Sequence, residues 1–205
     1  MANLCESVIE QDILVNCDDP ITGGLEPNAK IINRADIDFS GTEFDDTRKN
    51  VIKTVKLLPG KRAYDVYVPN SAGFTGTSTT FEVGTYQNTF TNSFQLIVFD
   101  NDPDVAEKII DGFSKGSYVV VFENKYKNLN KATTPGDGTY QIMGWQNGLS
   151  ATEIENDKYS DDTTGGWRVL MQEPKTAKSA LFFFDTSLAT TKAKFDSLTT
   201  IVPTP

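Results

Sequence analysis

Residues 80–100, TFEVGTYQNTFTNSFQLIVFD, carry the longest β-strand pattern in this chain. In the second half of the stretch, apolar side chains share one parity, and they are Phe90, Phe94, Leu96 and Val98. The polar residues Thr91, Asn92 and Gln95 are interspersed among them. Alternation of this kind predicts a strand with one buried face.

The next segment, DNDPDVAEKIIDGFSKG at residues 100–116, predicts a helix. Asp102 stands where an N-cap belongs, and Pro103 suits the first helical position. Steps of four place three apolar residues on one face, namely Val105, Ile109 and Phe113. Gly116 follows the predicted end of the helix.

Further β patterns flank this unit on both sides. The segment after residue 28 predicts a first strand anchored by Ile31, Ile32, Ile37 and Phe39. Two β-rich runs around Pro59-Gly60, within residues 51–70, predict a hairpin. Additional strands are predicted in residues 117–125, 139–145, 166–173 and 180–185. Residues 70–80 predict a Gly-rich loop and residues 150–166 an acidic, turn-rich segment, while Ser187 could cap a short final helix.

Eight or nine strands and two helices, not regularly interleaved, argue against a parallel doubly wound sheet. The predicted fold is mainly β: an antiparallel β-sandwich or barrel with one or two flanking α-helices and an extended N-terminal arm. The simplest partition is an N-terminal arm at residues 1–28 and a single β-sandwich domain at residues 29–205.

Composition and charge narrow the range of functions. The chain has 205 residues, 38% of them hydrophobic, which is ordinary for a folded domain. No stretch is long and apolar enough to predict a membrane helix, and the start predicts no secretory signal. The net charge is −9, of which residues 1–50 hold −7. An acidic chain disfavours tight binding to nucleic acid; its acidity either maintains solubility or lets DNA slide past.

The sequence offers little catalytic chemistry. It contains no histidine, which removes the commonest general base and the usual zinc ligand. Nucleophile-elbow, phosphate-loop and dinucleotide motifs are absent. We therefore predict no catalytic, cofactor-binding or metal-binding residues. The acid clusters are Asp18-Asp19, Asp45-Asp46, Asp100/Asp102/Asp104 and Asp161-Asp162. The third resembles the start of a calcium loop, but Val105 replaces the required glycine, which favours helix capping.

Two residue pairs leave alternatives open. Cys5 and Cys17 are expected to be reduced thiols, with a disulfide as the alternative and a metal site disfavoured. Trp145 and Trp167 are expected in the core or at a subunit interface, with stacking on sugars or bases as the alternative.

Several short segments of the sequence resemble those of a known protein family. The stretch NCDDPITGGLEPNAKIINRADID at residues 16–38 resembles virion structural proteins of tailed phages of Bacteroidota. A turn with Gly144, Gly148 and Leu149, then a polar loop, Gly165-Gly166 and a strand, looks like the C-terminal part of major tail tube proteins. The resemblance lies in the order of the predicted elements and in short sequence segments spread over most of the chain. The family has no catalytic motif that could be transferred to this sequence.

The resemblance implies a tail tube subunit in the virion, assembled in the host bacterial cytoplasm. Such subunits form hexameric rings that stack into a DNA-conducting tube, without specific DNA binding and without membrane binding. Implied partners are further copies and other tail proteins: sheath if the tail is contractile, tape measure, terminator and baseplate. Residues 1–28 and 70–80 are candidates for ring-to-ring contact.

Alternative functions belong to three classes. A ring, connector or stopper protein of the neck would share the fold and the acidity. A carbohydrate-binding module would use Trp145, Trp167 and tyrosines as a platform. A hydrolase would need two carboxylates facing each other across a cleft.

Overall fold

The structure is a computed structural model that describes residues 9, 11–13, 17, 20–67 and 76–204. Eleven strands lie within these residues. They are β1 (Leu25–Asn33), β2 (Glu43–Phe44), β3 (Val51–Thr54), β4 (Tyr64–Tyr67), β5 (Gly76–Glu82), β6 (Thr89–Val98), β7 (Tyr118–Asn124), β8 (Tyr140–Met143), β9 (Ser150–Asn156), β10 (Trp167–Thr176) and β11 (Leu181–Phe183).

The strands form two sheets. A seven-stranded sheet has the order β2-β3-β11-β8-β7-β1-β4, and a four-stranded sheet has the order β5-β6-β10-β9. All neighbouring strands are antiparallel except β3 and β11, which are parallel. The predicted mainly β, sandwich-like fold is confirmed.

Two helical segments flank the sheets. The mid-chain helix (residues 103–115) begins with the α-helical turn Pro103–Val105, continues as a π-helix over Ala106–Ile110 and ends as the α-helical turn Asp111–Lys115. The C-terminal helix spans Leu188–Ser197, and the Ser187 side chain accepts a hydrogen bond from Thr190 N, as predicted. Neither helix is long and apolar enough to cross a membrane, within the part of the chain that the structure describes.

The seven-stranded sheet is central and buries a separate hydrophobic cluster on each face. One cluster joins Ile32, Val121, Ile142 and Phe183 to Phe195 and Leu198 at the C-terminal helix. The other joins Ile31, Val120 and Phe122 to the four-stranded sheet through Phe94, Leu96 and Val169, and to the mid-chain helix through Phe113. The strand pattern of residues 90–98 is therefore confirmed for Phe94, Leu96 and Val98, whereas Phe90 is half-buried and lies outside this cluster.

Residues 51–67 do not form the predicted hairpin, and residues 68–70 of that prediction lie outside the described residues. Strand β3 pairs with β2 and β11, whereas β4 pairs with β1 at the other end of the sheet order. The Pro59-Gly60 turn does form, with φ of +76° at Gly60. The connecting segment crosses the first cluster because Val55, Leu57 and Ala63 are all buried in it. The hairpin prediction was wrong because the segment between β3 and β4 is buried in the first cluster. It therefore does not fold back to pair β4 with β3.

Three other boundaries differ from the sequence prediction. The first strand begins at Leu25, before the expected arm boundary at residue 28, and ends at Asn33, so Ile37 lies beyond it. Residues 76–82 are strand β5 and not loop, because β-branched threonines suit a pleated edge strand. Residues 150–156 are strand β9, in which only Ala151 and Ile154 pack against the core. A strand with so few apolar positions gives a weak signal in sequence.

Candidate functional site

The four-stranded sheet has one face directed away from the second cluster, and we call this the outer face. Its register places Ser78, Thr80, Glu82, Thr89, Thr91, Ser93, Gln95, Arg168, Gln172, Ser150, Glu153 and Glu155 on that side, together with Ile97 and Leu170. The opposite parity carries core residues such as Phe94 and Val169. The outer face is thus mostly hydroxyl, amide and carboxylate.

The outer face carries three carboxylates and one cation. Arg168 Nη2 donates to Glu153 Oε1 at 2.7 Å and also contacts Glu155 Oε2. The third carboxylate, Glu82, accepts a hydrogen bond from the Thr91 hydroxyl at 2.5 Å. The single guanidinium is therefore engaged by two glutamates, and the face retains net negative charge.

Among the described residues, neither outermost strand of this sheet pairs with a further strand on its outer side. Strands β5 and β9 are the outermost strands, and each is seven residues long. Their sequences, GTSTTFE and SATEIEN, contain neither lysine nor proline, the residues that commonly block exposed edges. Each edge therefore presents backbone N–H and C=O groups to a potential partner strand.

A tight turn ends strand β8. Gly144 and Gly148 both have φ near +85°, at +86° and +83°. A Cβ on Gly144 would lie 2.2 Å from the Tyr118 carbonyl oxygen, and one on Gly148 would lie 1.8 Å from Ser117 Oγ. Only glycine meets both requirements here, because the backbone is left-handed and the neighbours are in contact.

The turn is held by a buried carboxylate. Glu173 Oε1 accepts from the backbone N–H groups of Gln146 at 2.8 Å and Asn147 at 2.9 Å. Its Oε2 accepts from Gly144 N at 2.9 Å and from Asn92 Nδ2 at 3.2 Å. Four donors compensate for burying the charge, so Glu173 is a structural anchor between β10 and the turn.

Beside this turn lies an open cleft of about 580 Å³, which we call the cationic cleft. Its basic residues are Arg34, Lys175 and Lys178, and its aromatic wall is formed by Phe39, Phe44 and Trp145. The Phe39 and Phe44 rings meet Trp145 edge-on, with centroids 5.0 and 6.0 Å away.

A second concave region lies at the opposite end of strands β1, β7 and β8, between the two sheets. It encloses about 680 Å³ and is lined in part by Gly24, Arg48, Lys131 and Asp137. Arg48 Nη1 and Lys131 Nζ contact Asp137 Oδ2 at 2.7 and 2.8 Å.

Burial alone would raise the pKa of Asp137. Hydrogen bonds from Lys131, Thr134 and Asn128, with the charge of Lys131, outweigh that effect and hold the pKa below the usual aspartate value. The Asp137 carboxylate is occupied by these hydrogen bonds and ion pairs, so it serves to join the loops that carry its partners.

A third concave region borders edge strand β4. This groove of about 890 Å³ is lined by Tyr64, Tyr67, Phe99, Ile109 and others, and these four side chains are exposed. Its lining also includes the charged residues Arg62, Asp65 and Lys108.

Two of the acid clusters noted in the sequence have partners in the structure. Hydrogen bonds from the Thr47 side chain, then from the backbone N–H groups of Arg48 and Thr47, hold the pKa of Asp45 far below its usual range. Asp104 pairs with Lys108 at 3.1 Å. Asp161 and Asp162 are exposed in the β9–β10 connection, and Asp18-Asp19 lie outside the described residues. Across residues 20–67 and 76–204, no set of three His, Cys, Asp or Glu is arranged to hold a metal ion.

The predicted cap of the mid-chain helix is half correct. Pro103 occupies the first helical position, but the Asp102 side chain makes no capping hydrogen bond. Instead, Asp100 Oδ1 accepts from Asp102 N at 3.0 Å. The DNDPD segment therefore shapes the entry to the helix through a turn before it.

The remaining singled-out residues divide between core and surface. Trp145 is buried in the first cluster, and Trp167 is half-buried and packs against the second. Their indoles therefore form no shared exposed platform. Cys17 is an exposed free thiol, and Cys5 lies outside the described residues.

Comparisons with protein-family models, with curated proteins and with solved structures find no match for this chain. Functional inference therefore depends on the surfaces described above.

Proposed function

We propose that this protein is a non-enzymatic structural subunit whose copies join sheet to sheet into rings, and that it acts as a tail tube protein of a tailed bacteriophage. The observation that supports this most is the outer face of the four-stranded sheet, which is polar, net negative and flanked by two unblocked edges. A polar face with net negative charge is suited to line a channel. The strands at its two edges are suited to pair with neighbouring copies and so close a ring around that channel.

Edge pairing explains why these two exposed strands carry neither lysine nor proline. An open edge is a hazard for a monomer, because it templates uncontrolled pairing. When β5 of one copy pairs with β9 of the next, both edges disappear and the contact repeats around a closed ring. Equal strand lengths of seven residues allow the whole edge to be used.

The charge of the outer face suits passage of DNA without binding. Phosphate binding needs Lys or Arg that release counterions. On this face the only cation, Arg168, is already bonded to Glu153 and contacts Glu155. Duplex DNA in such a channel would meet hydroxyls, amides and carboxylates, so it would be repelled weakly and would slide.

In this proposal the protein resides in the virion tail after assembly in the host cytoplasm. Its partners are further copies and the proteins at the tube's surface and ends, such as sheath, tape measure, terminator and baseplate. It uses no cofactor or metal.

Electron microscopy of the purified protein in negative stain tests the proposal. We expect rings and stacked tubes at high concentration. Isolated single rings would point to a neck ring or connector, and a persistent monomer would contradict self-assembly altogether. Removal of residues 1–20 is expected to leave a folded protein that no longer forms tubes.

A pair of edge variants tests the ring contact itself. Ser78→Glu with Thr80→Glu places carboxylates on the outer side of β5, where they would face Glu153 and Glu155 of the neighbouring copy. Like charges across a strand pair are destabilising, so rings should be lost. The matched variant, Ser78→Lys with Thr80→Lys, should retain rings. Equal behaviour of the two variants in sedimentation would argue against β5–β9 pairing.

A further inference from the structure

We propose that the cationic cleft is the receptor for the N-terminal segment, residues 1–20, of a neighbouring copy. This proposal extends the proposed assembly, because it identifies the contact that joins one ring to the next. It commits to a single occupant, and the case combines the charge of the cleft, its unsatisfied groups, the chemistry of the segment and the position of both on the molecule.

Within the part of the chain that the structure describes, the cations of the cleft have no carboxylate partner. Eleven of the 19 basic residues in the chain have a carboxylate oxygen within 4.0 Å. Arg34, Lys175 and Lys178 are not among them, in a protein whose net charge is −9. Arg34 Nη2 and Lys178 Nζ instead donate to backbone carbonyls, at Gln146 and Lys49. The positive charge of the cleft is therefore available to an acidic ligand.

Arg34 is held in place with a buried donor unused. Its guanidinium lies 4.7 Å from the centroid of the Phe39 ring, and Nη2 donates to Gln146 O at 2.8 Å. Its Nε is buried and has no hydrogen-bond acceptor. A buried donor without an acceptor costs about 1–3 kcal/mol, and a carboxylate or carbonyl brought by a ligand could remove that cost.

Lys175 adds a strained position at the rim. Its φ is +60°, in the left-handed region that side chains rarely adopt. Asn147 Nδ2 maintains this geometry by donating to Pro174 O at 2.8 Å and Lys175 O at 3.2 Å. Strain of this kind concentrates where the chain presents a side chain for function. Here it presents an exposed ammonium beside the aromatic wall.

The N-terminal segment has complementary chemistry. Residues 1–20 contain five acids and no basic side chain. Apolar residues alternate with these acids in two groups, which are Val8-Ile9 and Ile13-Leu14-Val15. Such a segment can place apolar side chains against Phe39, Phe44 and Trp145 while its carboxylates reach the lysines.

The cleft lies at the opposite end of strand β1 from the point where the segment joins the strand. Strand β1 begins at Leu25, directly after the segment, and ends at Asn33, next to Arg34 in the cleft. Nine residues of extended strand separate these ends by about 30 Å. A contact between one end of a subunit and the other end of the next is heterologous and propagates, so it stacks rings with one polarity.

Mixing two variants, each of which lacks one side of the contact, tests the docking. The first variant, Lys175→Glu with Lys178→Glu, keeps the segment but reverses two charges of the cleft. The second lacks residues 1–20 but keeps the cleft, and both hydrophobic clusters survive because neither includes a residue before Leu25. We expect each alone to give unstacked rings and their mixture to give paired rings in electron microscopy. Absence of pairing in the mixture would overturn the proposal, as would tubes formed by the first variant alone.

A binding measurement separates this proposal from the ring proposal. The probe is a fluorescein-labelled peptide of residues 1–20 with serine at positions 5 and 17, and the readout is anisotropy with the truncated chain. We expect saturable binding that weakens as salt rises. Lys175→Glu with Lys178→Glu should raise Kd at least about tenfold. Lys158→Glu, at an exposed lysine beyond the other end of strands β9 and β10, should leave Kd unchanged.

The two proposals fail in different ways. The Ser78→Glu with Thr80→Glu variant should lose rings yet bind the peptide normally. Tube formation without peptide binding would overturn the docking proposal and leave the ring proposal standing. Peptide binding that ignores the cleft lysines would also overturn it, whatever the assembly state.

Discussion

At the scale of single residues, a few polar groups define the loops that carry the candidate surfaces. Glu173 is only 2% exposed, yet it accepts hydrogen bonds from three backbone N–H groups of the turn after β8 and from Asn92. This turn supplies Trp145 to the cationic cleft. A buried carboxylate therefore positions the aromatic wall without contacting the proposed ligand.

Replacing Glu173 with glutamine should destabilise the protein by about 3 kcal/mol. Glutamine has one acceptor oxygen, so its amide NH₂ would face backbone donors at the other position. Urea unfolding followed by circular dichroism measures the change in the free energy of unfolding. Glu153→Gln, at an exposed position on the outer face, is the control and should change it by less than about 0.5 kcal/mol. Equal effects at the two sites would contradict the anchoring role.

At the scale of elements, the mid-chain helix shows how a local irregularity redirects a face. Steps of four predicted Val105, Ile109 and Phe113 together on the buried side. Phe113 is buried, but Ile109 is 41% exposed and Ile110 is buried instead, at 6%. The π-helical segment Ala106–Ile110 explains this difference, since i to i+5 hydrogen bonds widen the turn by one residue.

The π-helical register makes a direct prediction about neighbouring isoleucines. Ile110→Ala should lower the free energy of unfolding by about 3 kcal/mol, because it leaves a cavity in the second cluster. Ile109→Ala should cost less than about 1 kcal/mol, because that side chain is largely in solvent. Thermal and urea unfolding of both variants compare the two values. A larger cost at Ile109 would show that a regular α-helix forms there.

At the scale of the whole molecule, the seven-stranded sheet separates two hydrophobic clusters. Consecutive residues of β7 face opposite ways, so Val121 belongs to the cluster under the C-terminal helix and Val120 to the cluster under the four-stranded sheet. This layering leaves the residues of the outer face outside both clusters. It can therefore be polar and can serve assembly.

Separate clusters predict additive energetics. Val121→Ala in the first cluster and Val169→Ala in the second should each cost about 2 kcal/mol, and the double variant should cost their sum within about 0.5 kcal/mol. Equilibrium unfolding in urea provides all three values. A coupling energy well above 1 kcal/mol would mean that the central sheet transmits packing changes between its faces.

The sequence alone determined the class of the fold and several element boundaries. Alternation in residues 90–98, Pro103 at the helix start, Gly116 after its end and the Ser187 cap are all consequences of local periodicity and backbone chemistry. These depend on residues a few positions apart, so a single sequence reveals them. The glycines at 144 and 148 were also visible, although only the structure shows the contacts that require them.

Tertiary structure alone decided which strands pair and which surfaces result. The parallel pairing of β3 with β11 replaced the expected hairpin, and β5 and β9 became edges only when the whole sheet was assembled. The cationic cleft joins Arg34 to Lys175 and Lys178, which are more than a hundred positions apart in the chain. No local pattern encodes such a meeting, because burial of two apolar clusters, and not the charges themselves, brings these segments together.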